Sequence, residues 1–523
     1  MKVLRLLLLL TLVTSCSESR EQSAAPVDSG PSRSEGVAIQ AVIPDQEQSA
    51  GDWNRGFMAA VANPYATEAA AEMLAQGGHA VDAAIAAHAV LGLVEPESSG
   101  LGGGGFMVVY ERESKQVQFL DGREAAPANA SIDMFMQDGE VMNFRDAVQS
   151  GKAVGVPGAV ALYRLAHDRF GVLPWEAVFE PAIRLATEGF VVTEKMARLL
   201  PGMATSSLLD ENPGTSEYFY PNGQPLQAGQ LLRNPEYADT LRRIASEGPS
   251  AFYSGEIAEA IARSAQAGPD GGSLTTEDIA NYQALEREAV CGAWRDLTLC
   301  SATPPSSGAM QIMIVNLYDE LLPENPDQGD QIRAFVDAQR LAYADRDYYF
   351  GDPDWVDVPL DQLLDPRYLE FRGQNPVAPD GIPTHGDPAE ILGGEELAVF
   401  ATDSTQEPAG TTHFSIVDGQ GNAVSATMTV ESAFGSRRWA AGFMLNNELT
   451  DFSRAYDPEA PEAANAVRPG ARPRSSMSPS IILDSEGELF MVTGSPGGNS
   501  IPAYTAKKRA GNCGLGLVGT GSG

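Results

Sequence analysis

The sequence changes from mainly helix-forming to mainly strand-forming at Gly410–Thr411, and this change limits the folds that the chain can adopt. Upstream, helix-forming segments dominate, such as residues 66–76, which end at the helix-stop pair Gly77–Gly78. Downstream, residues 412–418 and 423–430 are rich in Val, Thr, Ser and Phe and flank a Gly- and Asn-containing turn, which is typical of a β-hairpin. Because these late strands carry apolar residues on both faces, we expect an α+β fold in which a sheet is buried between helical layers.

The residues around the change have the composition of a self-cleaving site. Residues 376–410 are rich in Pro, Gly, Asp and Glu and are predicted to form an exposed linker. Gly410 allows the backbone to adopt a strained conformation, in which the Thr411 hydroxyl can reach the carbonyl carbon of Gly410. A cut there leaves Thr411 with a hydroxyl and a free α-amine, a nucleophile and a base in one residue. The same string is also typical of an ordinary strand start, so that interpretation stays open.

Length and charge restrict the class of protein. The chain has 523 residues, 43% of them hydrophobic, which is enough for one large domain or two closely packed ones. Asp and Glu total 70 against 35 Lys and Arg, and the net charge of −35 repels phosphate backbones, so nucleic acid is not an expected partner. The five histidines have no ligand spacing and there is no CxxC or HExxH pattern, so neither a metal nor another cofactor is predicted.

The first residues resemble an export signal. Lys2 and Arg5 precede an apolar run from Leu6 to Val13, which is too short to span a membrane as a helix. Residues 13–16, which end at Cys16, are similar to a lipobox, so the mature protein is predicted to be either lipidated at Cys16 or secreted without a lipid. Residues 1–15 are then the signal, and residues 16–50 form a disordered tether. The expected location is the periplasm or cell envelope, with the membrane reached only through the lipid.

Two further cysteines are predicted to pair. Cys291 and Cys300 flank a short segment with the pattern of a hairpin turn. In an oxidising compartment this arrangement makes a Cys291–Cys300 disulfide the expected state.

Eight ordered blocks of sequence resemble the gamma-glutamyltransferase family over nearly the whole mature length. The blocks are Asn63-Pro64 with residues 77–84, residues 102–106, 304–308, 341–346, 411–413, Asn446-Asn447-Glu448 with Asp451-Phe452, residues 475–479 and residues 493–498.

The resemblance implies a four-layer αββα Ntn-hydrolase sandwich, made as one precursor that cuts itself between Gly410 and Thr411. The large subunit is then expected to span residues 51–410 and the small subunit residues 411–523. Thr411 matches the nucleophile and Thr429 the threonine that orients it. Gly497 and Gly498 match the backbone N–H pair that holds the oxyanion.

The resemblance also implies the substrate, a gamma-glutamyl small molecule such as glutathione. Arg123 matches the arginine that binds the α-carboxylate, a role that suits a planar guanidinium. Ser475 and Ser476 match its hydroxyl partners, and Glu448 and Asp451 match the acidic pair for the α-ammonium. Two alternatives stay open, namely a same-fold acylase acting on glutaryl-type or β-lactam side-chain amides, and a surface lipoprotein that binds gamma-glutamyl compounds without turnover.

The chain departs from the family pattern in three places. Glu431 stands where many members have Asn, and its charge near the ammonium site is expected to retune or loosen recognition. Residues 453–471 are short and have no counterpart of the lid tyrosine of some members, which favours hydrolysis over transfer. The likeness stops near Lys507, so the 523-residue form is expected to mature poorly or aggregate through unpaired strand edges.

Overall fold

The computed structural model describes residues 56–512, except Leu208, Pro269 and Pro376, and these residues belong to one structural unit. The predicted export signal, Cys16 and the tether to residue 50 lie outside the described residues, as do residues 513–523 of the tail. Within the described part of the chain, no helix is both long and apolar enough to cross a membrane.

Strands form two main antiparallel sheets. The larger sheet has the order β1-β11-β12-β2-β3-β8 and the smaller has the order β16-β15-β10-β9. The strands are β1 (Met58–Ala60), β2 (Gly104–Glu111), β3 (Gln116–Gly122), β4 (Met136–Gln137), β5 (Glu140–Val141), β6 (Phe190–Val191), β7 (Leu231–Leu232), β8 (Leu285–Glu288), β9 (Val290–Trp294), β10 (Leu297–Ser301), β11 (Thr411–Val417), β12 (Ala423–Thr429), β13 (Trp439–Ala440), β14 (Phe443–Met444), β15 (Ser480–Leu483) and β16 (Leu489–Thr493).

Helices supply the outer layers. They are α1 (Pro64–Ala75), α2 (Ala80–Val94), α3 (Phe144–Gln149), α4 (Ala159–Phe170), α5 (Glu180–Glu188), α6 (Glu194–Ser207), α7 (Pro213–Phe219), α8 (Pro235–Glu247), α9 (Ser250–Tyr253), α10 (Gly255–Gln266), α11 (Thr276–Asn281), α12 (Gly308–Leu321), α13 (Gln328–Tyr349), α14 (Leu360–Leu363), α15 (Pro366–Gln374), α16 (Pro388–Leu392) and α17 (Ile501–Asn512). The first helix begins where Asn63 accepts a hydrogen bond from the Tyr65 N–H, with Pro64 in the first turn.

Three apolar clusters hold the layers together. One joins α1, α2, α4, α5 and α8 to one face of the larger sheet, and a second joins α12, α13 and α15 to the smaller sheet. The third lies between the sheets, where Phe106, Val108 and Phe119 meet Ile481 and Leu483. This order of layers is the αββα sandwich that the family resemblance implied.

The helix α2 and the strand β12 explain why the late strands are apolar on both faces. Every residue of α2 and of β12 is buried, since α2 covers the larger sheet on one side and the smaller sheet covers it on the other. In the neighbouring strand β11, buried and partly buried residues alternate. Phe414 and Ile416 face α2. His413 faces the smaller sheet, where its imidazole lies against Gly494. Thr411 lies two residues before His413 and therefore on the same face.

The β9–β10 hairpin places Cys291 opposite Cys300, and a disulfide joins them with a Cα–Cα distance of 4.1 Å. This is the pairing that the sequence predicted. The predicted exposed linker differs in two respects, because residues 388–392 form the short helix α16 and because Ala389 and Asp403 are buried. Asp387 begins this helix by accepting a hydrogen bond from the Glu390 N–H, a local cap that the composition of the linker did not reveal.

Candidate active site

The Gly410–Thr411 peptide bond lies at the entrance to β11, and the described chain is uncut there. Thr411 is the first residue of β11 and pairs with Thr429, the last residue of β12. A Cβ on residue 410 would lie 2.0 Å from the Glu431 carbonyl oxygen, so only glycine fits without moving the backbone. The predicted nucleophile is therefore held at the edge of the inter-sheet space by two neighbouring strands.

The hydroxyl of Thr429 lies between the two groups that self-cleavage needs. Its oxygen is 3.4 Å from the Thr411 hydroxyl oxygen and 3.3 Å from the Gly410 carbonyl oxygen. The Glu431 N–H donates to the same oxygen at 2.7 Å. Because the oxygen already accepts this bond, its own hydrogen is directed towards either Thr411 or the Gly410 carbonyl.

Gly497 and Gly498 lie where the chain enters α17, and both have positive φ angles of 139° and 53°. A Cβ on Gly498 would lie 2.2 Å from the Glu407 carbonyl oxygen, because the linker passes directly over this turn. The linker backbone therefore packs against this turn, and Gly498 lines the same cavity as Thr411.

Most of the predicted site residues line one small cavity. Gly497 and Ser476 are not part of its lining, and Glu407 and Pro408 of the linker are. The predicted residues in the lining are Arg123, Thr411, Thr429, Glu431, Glu448, Asp451, Ser475 and Gly498.

Arg123 is buried and forms ion pairs with both members of the predicted ammonium site. Its guanidinium donates to Glu448, to Asp451 at 2.7 Å, and to the carbonyl oxygens of Pro473 and Arg474 at 3.1 and 2.8 Å. In the uncut chain the charge of Arg123 is thus balanced by two carboxylates. The structure joins the predicted carboxylate-binding and ammonium-binding residues in one network.

Two more carboxylates extend this acidic network. Glu124 and Glu431 are buried beside Glu448 and Asp451, and each of these four side chains has at least one oxygen without a hydrogen-bond partner in the described part of the chain. Burial raises the pKa of Glu124 and of Glu431 to about 7, against the opposing effects of Arg123 and of hydrogen bonds from Ser432 and Asn447, respectively. The network therefore places four carboxyl groups around the guanidinium of Arg123, and burial favours the protonated form of Glu124 and Glu431.

This network is not arranged as a metal site. Among the described residues, no group of three or more His, Cys, Asp or Glu side chains has the geometry to hold a metal ion.

The predicted serines lie on the segment that leads into β15. Ser475 accepts a hydrogen bond from the Met477 N–H at 3.1 Å, and its carbonyl oxygen accepts one from Ser307. The Ser476 hydroxyl oxygen accepts a hydrogen bond from Arg346 at 2.8 Å, and the Ser476 N–H donates to Glu407 at 2.6 Å.

Sequence reasoning missed Glu124, Arg346 and Glu407 as residues of the site. Glu124 directly follows Arg123, and Arg346 ends the block of residues 341–346. Both residues could therefore have been identified by comparison with the family pattern. Glu407 carried no such signal, because an acidic residue in an acidic linker is unremarkable until the linker is seen to cross the cavity.

Two antiparallel sheets between helical layers, with a threonine at the head of a central strand beside a glycine turn, define an Ntn-hydrolase. The family model described as Gamma-glutamyltranspeptidase matches residues 66–513. The chain therefore belongs to the gamma-glutamyltranspeptidase family.

Individual relatives agree with this assignment. The chain is 37% identical to the glutathione hydrolase proenzyme of Escherichia coli over 459 residues, which are 86% of this chain and 76% of that protein. It is also 37% identical to the glutathione hydrolase proenzyme of Pseudomonas aeruginosa over 483 residues, with coverage of 89% and 81%.

Solved structures share the fold. Cephalosporin acylase from Bacillus halodurans superimposes with a TM-score of 0.74 at 25% identity, covering 91% of this chain and 84% of that chain. Gamma-glutamyltranspeptidase from Helicobacter pylori gives a TM-score of 0.58 at 31% identity, covering 66% of this chain and 97% of that chain.

Proposed function

We propose that this chain is a proenzyme that cuts itself before Thr411 and then hydrolyses or transfers the gamma-glutamyl group of small molecules such as glutathione. The observation that carries the proposal is the position of Thr429, whose hydroxyl oxygen lies 3.3 Å from the Gly410 carbonyl oxygen and 3.4 Å from the Thr411 hydroxyl oxygen. The glutathione hydrolase proenzymes of two bacteria support the same activity by their similarity to this chain.

In the self-cleavage step, the Thr411 hydroxyl oxygen attacks the carbonyl carbon of Gly410. The Thr429 hydroxyl polarises that carbonyl, and the hydroxyl proton of Thr411 passes to the departing Thr411 nitrogen. The resulting ester joins Gly410 to the Thr411 side chain. Water then hydrolyses the ester, which leaves a carboxylate on Gly410 and a free hydroxyl and α-amine on Thr411.

In turnover, the freed α-amine of Thr411 takes the proton of its own hydroxyl as the oxygen attacks the gamma-carbonyl of the donor. The N–H groups of Gly497 and Gly498 hold the oxyanion, and the amine of the donor leaves with the proton. The gamma-glutamyl ester on Thr411 is then released by water or by an acceptor amine. Thr429 keeps the Thr411 hydroxyl oriented in both reactions.

The acidic network defines the head group of the donor. Glu431, Glu448 and Asp451 line the cavity together with Thr411, and their carboxyl oxygens can accept the hydrogens of the free α-ammonium of a gamma-glutamyl group. A glutaryl group has no ammonium, so it adds no positive charge to that of Arg123, which already pairs with Glu448 and Asp451.

One set of measurements tests the proposal. N-terminal sequencing of the purified protein is expected to find a chain that begins at Thr411, and gamma-glutamyl-p-nitroanilide is expected to release nitroaniline. Glutaryl-p-nitroanilide is the matched control, since it lacks only the α-ammonium. An uncut chain, or faster release from the glutaryl compound, contradicts the proposal.

The location is a separate proposal. The charged start, the apolar run to Val13 and Cys16 support export and attachment through a lipid on Cys16. Cell fractionation of the wild-type protein and of the Cys16→Ser variant is the test. Release of the variant, but not the wild type, into the soluble envelope fraction is the expected result, and wild-type protein in that fraction contradicts the lipid anchor.

A further inference from the structure

A wide cleft adjoins the small cavity that contains Thr411. The cleft has a volume of about 610 Å³, and the cavity around Thr411 has a volume of about 10 Å³. Glu407 and Pro408 of the linker line both spaces and therefore separate them in the uncut chain. Because a gamma-glutamyl amide is much larger than the small cavity, turnover requires these two residues to move after cleavage frees Gly410. The cleft and the cavity then form one continuous space.

The cleft is where the leaving group of a bound donor has to extend. Arg123, Glu448 and Asp451 are 0%, 1% and 3% exposed, so a head group bound among them is enclosed by protein. The leaving group begins at the amide nitrogen, on the opposite side of the gamma-carbonyl from the head group. It therefore extends away from the enclosed residues, and the adjoining space that is large enough to take it is the cleft.

The wall of the cleft that the linker provides does not depend on the uncut peptide bond. Asp403 in this wall forms an ion pair with Arg474 at 3.0 Å and accepts a hydrogen bond from the Asn465 amide at 2.8 Å. The Thr405 hydroxyl donates to the same carboxylate at 2.6 Å. Because Arg474 and Asn465 follow the cut in the chain, they hold this wall to the other subunit, and the cleft is expected to persist in the cut enzyme.

Arg454 is the one basic residue among the described residues that line the cleft. Its guanidinium lies over the Phe144 ring, 5.1 Å from the ring centroid, and its Nη1 donates to the Met142 carbonyl oxygen at 3.3 Å. Within the described part of the chain, Arg454 forms no ion pair and its Nε has no hydrogen-bond partner. In a chain with a net charge of −35, such an arginine beside a cleft is free to bind a carboxylate of a ligand.

The carboxylates that line the cleft do not neutralise Arg454. Asp403 is occupied by its ion pair and its hydrogen bonds. Glu407 accepts hydrogen bonds from the Arg346 guanidinium and, at 2.6 Å, from the Ser476 N–H. The cleft therefore offers a ligand one guanidinium with unused donors.

Arg454 lies within reach of a leaving group in the cleft. Burial lowers the pKa of Arg454, and nearby acidic charges, including those of Glu431 and Asp451 in the lining of the small cavity, oppose this effect. Arg454 follows Asp451 by three positions, so their Cα atoms are at most about 11 Å apart. A dipeptide leaving group spans about 7 Å when extended, which brings its terminal carboxylate within the range of the arginine side chain.

We propose that Arg454 binds the free carboxylate of the leaving group, and that Phe144 and Val141 provide an apolar wall for the rest of that group. This subsite is separate from the one that holds the gamma-glutamyl head group beside Arg123. The preferred donors are then gamma-glutamyl peptides whose released amino acid or dipeptide carries a free carboxylate, as the cysteinylglycine of glutathione does. This assignment rests on the proposed gamma-glutamyl activity and makes Arg454 a specificity-determining residue.

Two matched pairs of donors test the subsite in the wild-type enzyme. Gamma-glutamyl-3-carboxy-4-nitroanilide differs from gamma-glutamyl-p-nitroanilide only by a carboxylate on the released aniline. Glutathione differs from its glycyl ethyl ester by a free carboxylate in place of the ester. We expect KM to be about 5-fold lower for the carboxylate-bearing member of each pair, because that member gains a charge-assisted hydrogen bond to a partly buried arginine.

Variants separate this contact from the other effects of the added carboxylate. In Arg454→Gln the ratio of the two KM values is expected to fall about 5-fold, and Arg454→Lys is expected to keep part of the preference, since it keeps the charge without the planar fork. Arg145→Gln is the control, because Arg145 is exposed on α3 beside Phe144 but does not line the cleft. It removes the same charge and is expected to keep the wild-type ratio.

The outcomes separate the two proposals. Equal KM values within each pair in the wild-type enzyme overturn the subsite, and this comparison does not require any variant to fold. A ratio that Arg454→Gln leaves unchanged, or that Arg145→Gln lowers as much, also overturns it. Absence of turnover of all four donors by cut wild-type enzyme instead contradicts the proposed function.

Discussion

At the scale of single residues, Thr411 carries both proposed reactions with one hydroxyl. We expect Thr411→Ala to abolish self-cleavage and turnover, since no other atom of residue 411 can attack. Thr411→Ser keeps the hydroxyl and is expected to retain part of each activity, reduced because serine lacks the methyl group that restricts the side-chain rotamer. Denaturing gels and nitroaniline release measure the two activities. An alanine variant that is still cut after Gly410 contradicts the assignment of the nucleophile.

Arg123 is expected to affect binding more than self-cleavage. A lysine at this position cannot hold Glu448 and Asp451 with the fork geometry of a guanidinium, so the ammonium-binding carboxylates lose their orientation. We predict that Arg123→Lys raises KM for gamma-glutamyl-p-nitroanilide about 10-fold or more, while the rate of self-cleavage changes less. Steady-state kinetics and a cleavage time course distinguish the two effects. Unchanged KM would mean that these carboxylates are held in another way.

Glu431 makes stability depend on pH. Burial raises its pKa from an ordinary value of 4.5 to about 7, so the folded chain holds a proton at Glu431 that the unfolded chain releases. The stabilisation is fully present below about pH 4.5 and is lost as the pH rises through about 7. It can amount to at most about 3 kcal/mol, by conversion of the shift.

The Glu431→Gln variant isolates this contribution, because a neutral amide does not titrate. In the uncut Thr411→Ala background, the midpoint of thermal unfolding of Glu431→Gln is expected to fall less steeply between pH 5 and pH 8 than that of the parent. Glu396→Gln, at an exposed position, serves as the control and should follow the parent. Parallel curves for Glu431→Gln and the parent would show that Glu431 does not take up the proton.

At the scale of elements, the β9–β10 hairpin is closed by the Cys291–Cys300 disulfide at the edge of the smaller sheet. We predict that exported protein contains this bond, which mass analysis with and without reductant detects. Reduction is expected to destabilise the fold by about 2–3 kcal/mol, because the short loop between the cysteines gains freedom in the unfolded chain. A Cys291→Ser/Cys300→Ser variant that is as stable as the oxidised protein would contradict this estimate, and two free thiols would contradict the bond itself.

At the scale of the whole molecule, the two proposed subunits share both sheets. Strand β11 lies between β1 and β12, and β12 pairs with β2, so two strands from after Gly410 are inserted between strands from before it in the larger sheet. The smaller sheet pairs β10 with β15 in the same way. The cut before Thr411 therefore produces two chains that both contribute strands to the same two sheets.

We expect the two chains of the cut enzyme to stay together in solution. Gel filtration in native buffer should elute them as one species, and urea should be needed to separate them, because separation breaks two sheets and exposes the inter-sheet core. The uncut Thr411→Ala protein is the reference for the elution volume. Spontaneous separation of the chains in native buffer would contradict the interleaved arrangement.

Local sequence by itself determined the parts of this protein that depend on near neighbours. Helix α1 follows from its composition and its glycine stop signal, and the β11–β12 hairpin follows from its turn, since each is stabilised by contacts within a few residues. The family resemblance added the roles proposed for Thr411 and Arg123.

Only the tertiary structure decided which distant groups meet. Arg123 and Glu448 are 325 positions apart, and their ion pair depends on where the chain places the short 3-10 helix of residues 448–451 beside the end of β3. Glu407 enters the cavity because the linker crosses the turn at Gly498, and no local pattern encodes that path. Contacts of this kind are set by the packing of the whole core, whereas helices and hairpins are set by spacing along the chain.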